Sequence, residues 1–101
     1  MSVVLEGLPP THPGEILRED ILPSLRLSKV AVAKLLRISR QHLYDIMNEE
    51  KPVTPQMALR LSKLLGNSPE FWTNMQAAYD IAVEKKAMAD ELDLIQALEI
   101  A

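Results

Sequence analysis

Cysteine is missing altogether from the 101 residues. With it go disulfide frameworks, thiolate zinc sites and cysteine nucleophiles. Glycine occurs only at positions 7, 14 and 66, and aromatic rings only at Tyr44, Phe71, Trp72 and Tyr79. The apolar remainder leans on Leu, Ala, Ile and Met, a mix that favours helices and offers little for strands. No apolar run reaches the length of a membrane span. The opening MSVVLEGLPPTHPGE has neither the basic start nor the apolar centre of a secretory signal. A soluble, cytoplasmic, all-α chain is expected, with no contact with membranes. At this length it should form one domain with an extension, burying roughly 65% of its unfolded surface.

Catalytic and metal chemistry also lack support. His12 and His42 are the only histidines. His12 with Glu15 would supply two ligands at most, which does not make a metal site. No serine sits in a nucleophile motif. The expectation is a binding protein without cofactor, not an enzyme.

The formal net charge of −3 hides an asymmetry. Between Arg26 and Lys63 stand eight basic residues against three acids, a local +5, and the rest of the chain holds −8. The middle is therefore the candidate for phosphate contact.

Residues 1–11 lack periodicity and read as an N-terminal arm. In HPGEILREDIL, Pro13 suits a first helical position, and Pro23 should kink or end that helix within a turn. Ser28 is a plausible N-cap for KVAVAKLL, with Val32, Leu35 and Leu36 facing inward. The connection RIS is very short, and Ser39 caps the next helix. At 100° per residue, Leu43, Ile46 and Met47 share one face of it, while Gln41, Tyr44, Asp45 and Asn48 share the other. Thr54 and Pro55 restart a helix whose buried stripe should be Met57, Leu61, Leu64 and Leu65, and Gly66 stops it. Ser68 and Pro69 open a last helix with no breaker up to Ala101. Phe71, Trp72, Met75, Tyr79 and Ala82 can pack on the bundle. Ile81, Met88, Leu92, Ile95 and Leu98 continue an apolar stripe past it, the expected dimer interface. The organisation read from this is an arm (1–11), a helical bundle (12–67) and a C-terminal helix (68–101) that packs on the bundle and dimerises.

Two short helices joined by a three- or four-residue turn, the second capped and polar outside, form the helix-turn-helix pattern. Ala33 is the small residue such a crossing needs. Ile38, Leu43 and Ile46 are its apolar seat. Gln41 suits adenine, Arg40 suits guanine or a phosphate, and Tyr44 and Asn48 extend the face. Lys29 would lie near the DNA backbone.

HPGEILREDILPSL, ISRQHLYDIMN and VTPQMALRLSKLLGNSPEFWTNMQAAYD together resemble the HigA antitoxin family. This is the Xre/Cro (lambda-repressor-like) helix-turn-helix branch also called virulence-associated protein I. The resemblance covers roughly residues 11–83 in order. It agrees with the five helices read above, the last of them long, and implies a dimer that binds double-stranded operator DNA near its own promoter. It also implies a HigB-like partner, a small basic ribosome-dependent mRNA endonuclease toxin that the antitoxin neutralises. By motif position, Ser39, Arg40, Gln41, Tyr44 and Asn48 inherit the DNA-facing role. Arg37 replaces the glycine usual at the turn, at a cost of about 1 kcal/mol, and could reach phosphate instead. NEEKP replaces the usual NG and basic residues, leaving Lys51 as the phosphate clamp.

A stand-alone repressor without a toxin, or an interaction module that no longer binds DNA, are the competing readings. The second takes its argument from Asp45, Glu49 and Glu50. Asp45 could accept from a cytosine amino group or steer Arg40, and Glu49 and Glu50 should weaken non-specific binding and make it more salt-sensitive.

Overall fold

A computed structural model describes residues 10–99. The expected arm, apart from Pro10 and Thr11, lies outside the described residues. Those residues form six helices and no strand, within principal extents of 52 × 32 × 25 Å. None is long and apolar enough to cross a membrane.

Helix α1 runs Pro13–Ile16, passes through a π-helical stretch Leu17–Ile21 and ends in Leu22–Leu25. The wide turn has a local cause. Pro23 has no N–H to give and its ring crowds the carbonyl four residues back. Looser i→i+5 bonding, Leu22 N–H to Leu17 O, carries the helix past it. Arg26, in the left-handed region at φ 56°, ends the helix.

The four helices that follow start as polar caps dictate. They are α2 (Lys29–Leu36), α3 (Arg40–Met47), α4 (Pro55–Leu65) and α5 (Pro69–Ala87). Their N-caps Ser28, Ser39, Thr54 and Ser68 each accept an N–H from three residues on. Gly66, at φ 82°, closes α4.

Trp72 is fully buried, in one core cluster with Leu17, Leu43, Ile46, Met57 and Leu61. Its indole N–H donates to Asn67 Oδ1 at 3.1 Å, which keeps the one polar atom of the ring paired. Truncating such a ring to alanine costs about 3–5 kcal/mol. Gln76, also buried, reaches from α5 to the loop after α3. Its Oε1 accepts the Val53 N–H at 2.8 Å and its Nε2 donates to Asp80 at 2.9 Å.

Three expectations from the sequence differ from the structure. Leu35 is 56% exposed, and Leu64 and Phe71 are exposed too. Leu35 lies about 60° from Val32 and about 100° from Leu36 around the helix, and the buried face is Val32, Ala33 and Leu36. The final helix is not continuous to Ala101: it breaks at Met88 (φ −114°, ψ 28°), and α6 is a short separate helix, Ala89–Asp93. Past Ala82 there is no bundle to pack against, and an unsupported helix is marginal in water. Charge then favours a break, because Lys85 and Lys86 suit a helix end while Asp90 and Glu91 suit a helix start. The expected stripe is thereby split. Ile81 lies on α5, Met88 at the break, Leu92 on α6, and Ile95 and Leu98 in non-helical chain; all five are exposed.

Candidate nucleic-acid interface

The turn between α2 and α3 is built from Arg37, Ile38 and Ser39. Arg37 takes the left-handed conformation (φ 61°, ψ 42°) expected of the missing glycine. Ile38 N–H donates back to Ala33 O at 3.0 Å, closing the end of α2, and the Ile38 side chain packs on the core. Arg60 on α4 pins the same turn, its Nη1 donating to Leu36 O (2.9 Å) and to Arg37 O (3.4 Å).

On α3, Leu43, Ile46 and Met47 are buried, while Arg40, Gln41 and Asn48 are exposed and Tyr44 is half-buried. Ser39 caps this helix, so its hydroxyl is committed to His42 N–H at 3.0 Å. Lys29, at the start of α2, lies with Nζ 5.7 Å from the Tyr44 ring centre, a cation–π distance that ties the two helices at their outer edge.

Asp45 organises the rest of this face. Gln41 Nε2 donates to its Oδ1 at 2.8 Å, and Lys51 Nζ lies 3.5 Å from its Oδ2. The acid therefore steers Gln41 and Lys51, and not Arg40 as expected. Glu49 departs further from expectation. It sits at φ 63° just after α3 and turns back toward α1, where its Oε2 lies 3.3 Å from Arg18 Nη1. The same Arg18 nitrogen donates to the carbonyl of Met47, the last residue of α3. Hydrogen bonds to Glu19 and then Glu49 raise the Arg18 pKa further. Glu49 is thus part of the seat of α3. Glu50 alone of the three acids is exposed and outside these contacts.

The structure joins Gln41 and Lys51 through Asp45 and, separately, sets Lys29 against Tyr44, with Arg40 and Asn48 exposed at the two ends of α3. Arg37 stands apart on the turn, exposed. Arg18, Arg60 and Gln76 were missed as supporting residues. Each acts on a backbone group 23 to 29 residues away in sequence, a separation at which no local periodicity carries a signal.

Seating of α3 also depends on the start of α1. Gly14 touches the end of α3 so closely that an added Cβ would collide with Ile46 O and lie 2.9 Å from its carbonyl carbon. His12 caps α1 by accepting Gly14 N–H on Nδ1 at 2.9 Å, and its ring meets Tyr79 edge-on at 4.9 Å. Burial lowers the His12 pKa from 6.5; Glu49 and Asp80 oppose that shift and Arg18 adds to it. Among the described residues, no three acidic or histidine side chains converge where a metal ion could sit.

Known proteins fit this arrangement. The helix-turn-helix family model matches residues 17–72. Virulence-associated protein I of Dichelobacter nodosus is 40% identical over 79 residues, which is 78% of this chain and 73% of that protein. The structure of antitoxin GraA in complex with its operator is similar with a TM-score of 0.83 at 35% identity, covering 98% of this chain and 100% of the other. That of Pseudomonas aeruginosa antitoxin HigA with the higBA promoter gives 0.84 at 34%, covering 89% and 99%.

Proposed function

The chain belongs to the HigA antitoxin family of Xre/Cro-type helix-turn-helix proteins, and on that footing we propose that it is a non-enzymatic, operator-binding homodimer that represses its own operon and neutralises a HigB-like mRNA endonuclease toxin. One observation carries the DNA reading. The apolar side of α3 is buried while Arg40, Gln41 and Asn48 stand exposed on a rigidly seated helix.

Gln41 is oriented before any DNA arrives. A carboxylate can only accept, so the atom it offers Asp45 is the amide nitrogen. Its second N–H and its carbonyl oxygen remain as the donor–acceptor fork that suits N7 and N6 of adenine. A twofold dimer would place two copies of α3 in successive major grooves, about 10 bp apart. Asp45 and Glu49 both serve within the fold, which leaves Glu50 as the one acid of the three still arguing for a module that has given up DNA.

A gel shift on the upstream intergenic DNA tests this reading. Arg40→Ala and Gln41→Ala should each weaken specific binding by roughly 1–3 kcal/mol. Unchanged affinity in both would place the reading face elsewhere. Toxin neutralisation rests on the family and on the acidic ends of the chain, which suit a basic partner. Co-purification of a small basic protein encoded next to this gene tests it, and a lone chain would leave a stand-alone repressor.

A further inference from the structure

Among the described residues, two apolar surfaces are left without a partner. The first is a cleft of about 480 Å³ between α2 and α4. Leu35, Leu59 and Leu64 line it, all exposed, with Leu59 at 60%. Arg37, Arg60 and Lys63 line it as well and leave it without an acid. The second is the segment 89–99, where Leu94, Ile95 and Leu98 are among the most exposed large side chains, Leu98 at 86%. This segment carries Asp90, Glu91, Asp93 and Glu99 and no basic residue. The main contact of α6 is with α5, beyond the end of the bundle.

Charge decides which surfaces can meet. Pairing cleft with cleft across a twofold axis would oppose three cations with three cations. Pairing tail with tail would oppose acids with acids. Tail with cleft joins apolar to apolar and acid to base. We propose that in the dimer the C-terminal segment 89–99 of each copy docks in the α2–α4 cleft of the other copy. A twofold axis then makes the contact twice, and each exchange holds both chains. The two leucines that periodicity assigns to the core but the single chain exposes, Leu35 and Leu64, line the same cleft. They gain their cover in the assembly. This inference rests on the dimer reading above and says which surfaces form it.

Because the natural chain has no cysteine, introduced thiols report without background. Leu59→Cys and Ile95→Cys both alter exposed side chains, so each full-length variant should keep its fold. The two are mixed without DNA and treated with a short bis-maleimide. A covalent dimer holding one chain of each kind is expected, with neither variant crosslinking alone. Dimers of Leu59→Cys alone, or of Ile95→Cys alone, would overturn the proposal, as would crosslinking within one chain of the doubly substituted protein. So would a dimer that yields no product in any mixture. Lys63→Glu should weaken the dimer about twofold to fivefold, with Asp93→Lys in the same chain restoring it. An unchanged dimer constant for Lys63→Glu counts against the charge argument and the proposal with it. A wild-type chain that sediments as a monomer sinks the dimer reading itself. A dimer with the wrong crosslinks sinks only the exchange, and operator binding is scored separately by gel shift.

Discussion

Gly14→Ala sets local and tertiary physics against each other. Gly14 is helical, and in a helix alanine is better than glycine by roughly 0.5–1 kcal/mol. The added methyl, however, points at backbone. It would collide with Ile46 O and sit 2.9 Å from the carbonyl carbon, where carbon atoms keep roughly 3.5–4.0 Å. No rotamer change can relieve this, because the obstacle is backbone, a carbonyl held at the end of α3 by the Glu49 N–H at 3.0 Å. Helices α1 and α3 would have to part by roughly an ångström, at an overpacking cost of about 1–3 kcal/mol. That separation would also stretch the Arg18 bond to Met47 O and the Glu49 ion pair, which share one guanidinium. We expect a net loss of about 2 kcal/mol, a fall of about 8–16 °C in midpoint for a domain of this size. Thermal unfolding followed by circular dichroism measures it, and operator affinity should fall in parallel because the seat of α3 is what moves. A variant with equal or higher midpoint would refute the reasoning, since helix propensity would then have outweighed the contact.

Other perturbations test other parts of the scaffold. Gln76→Leu strands the buried Val53 N–H and should cost about 1–3 kcal/mol in urea unfolding; an unaltered midpoint would mean that another acceptor takes over. Arg37→Gly should stabilise the fold by about 1 kcal/mol by relieving the left-handed turn, while lowering affinity for all duplexes alike if Arg37 touches phosphate. Because burial holds the folded pKa of His12 below 6.5, its neutral form is favoured in the fold. Stability is therefore full above about pH 6.5 and falls as pH drops toward the folded value, where the unfolded chain alone takes the proton. Comparing wild type with His12→Asn at about pH 7.5 and about pH 5.5 isolates this effect, and parallel losses in both would assign it to other groups.

Local features of this fold were legible because they obey local rules. Ser28, Ser39, Thr54 and Ser68 announce helix starts by their own hydrogen bonds, and Leu43, Ile46 and Met47 share a face by arithmetic. The exposed reading face follows from the same count. Arg18, Arg60 and Gln76 did not stand out, because what each does is decided by a carbonyl or N–H far along the chain. Glu49 was misread for the same reason: its backbone turns left-handed, so its side chain goes to Arg18. The break at Met88 depends on where the bundle ends, which no helical wheel contains. Leu35 and Leu64 follow the apolar period yet stay exposed, so periodicity marks a surface that wants cover without saying who supplies it.

If Lys51 faces phosphate in the proposed operator complex, its pairing with Asp45 has a consequence for how the chain would search a genome. Proteins gain affinity for any duplex by expelling cations condensed on its phosphates, about one for each phosphate neutralised. A lysine already matched by its own carboxylate expels less. Grip on random sequence is lowered while the hydrogen-bonding edge of Gln41 is untouched. Occupancy is set by the ratio of right to wrong DNA, and wrong sites outnumber right ones by millions. On the proposed reading, a small pool of molecules would then spend less of its time stored on irrelevant sequence and more at its operator. On that reading the acid on α3 would improve discrimination through what it withholds from the backbone.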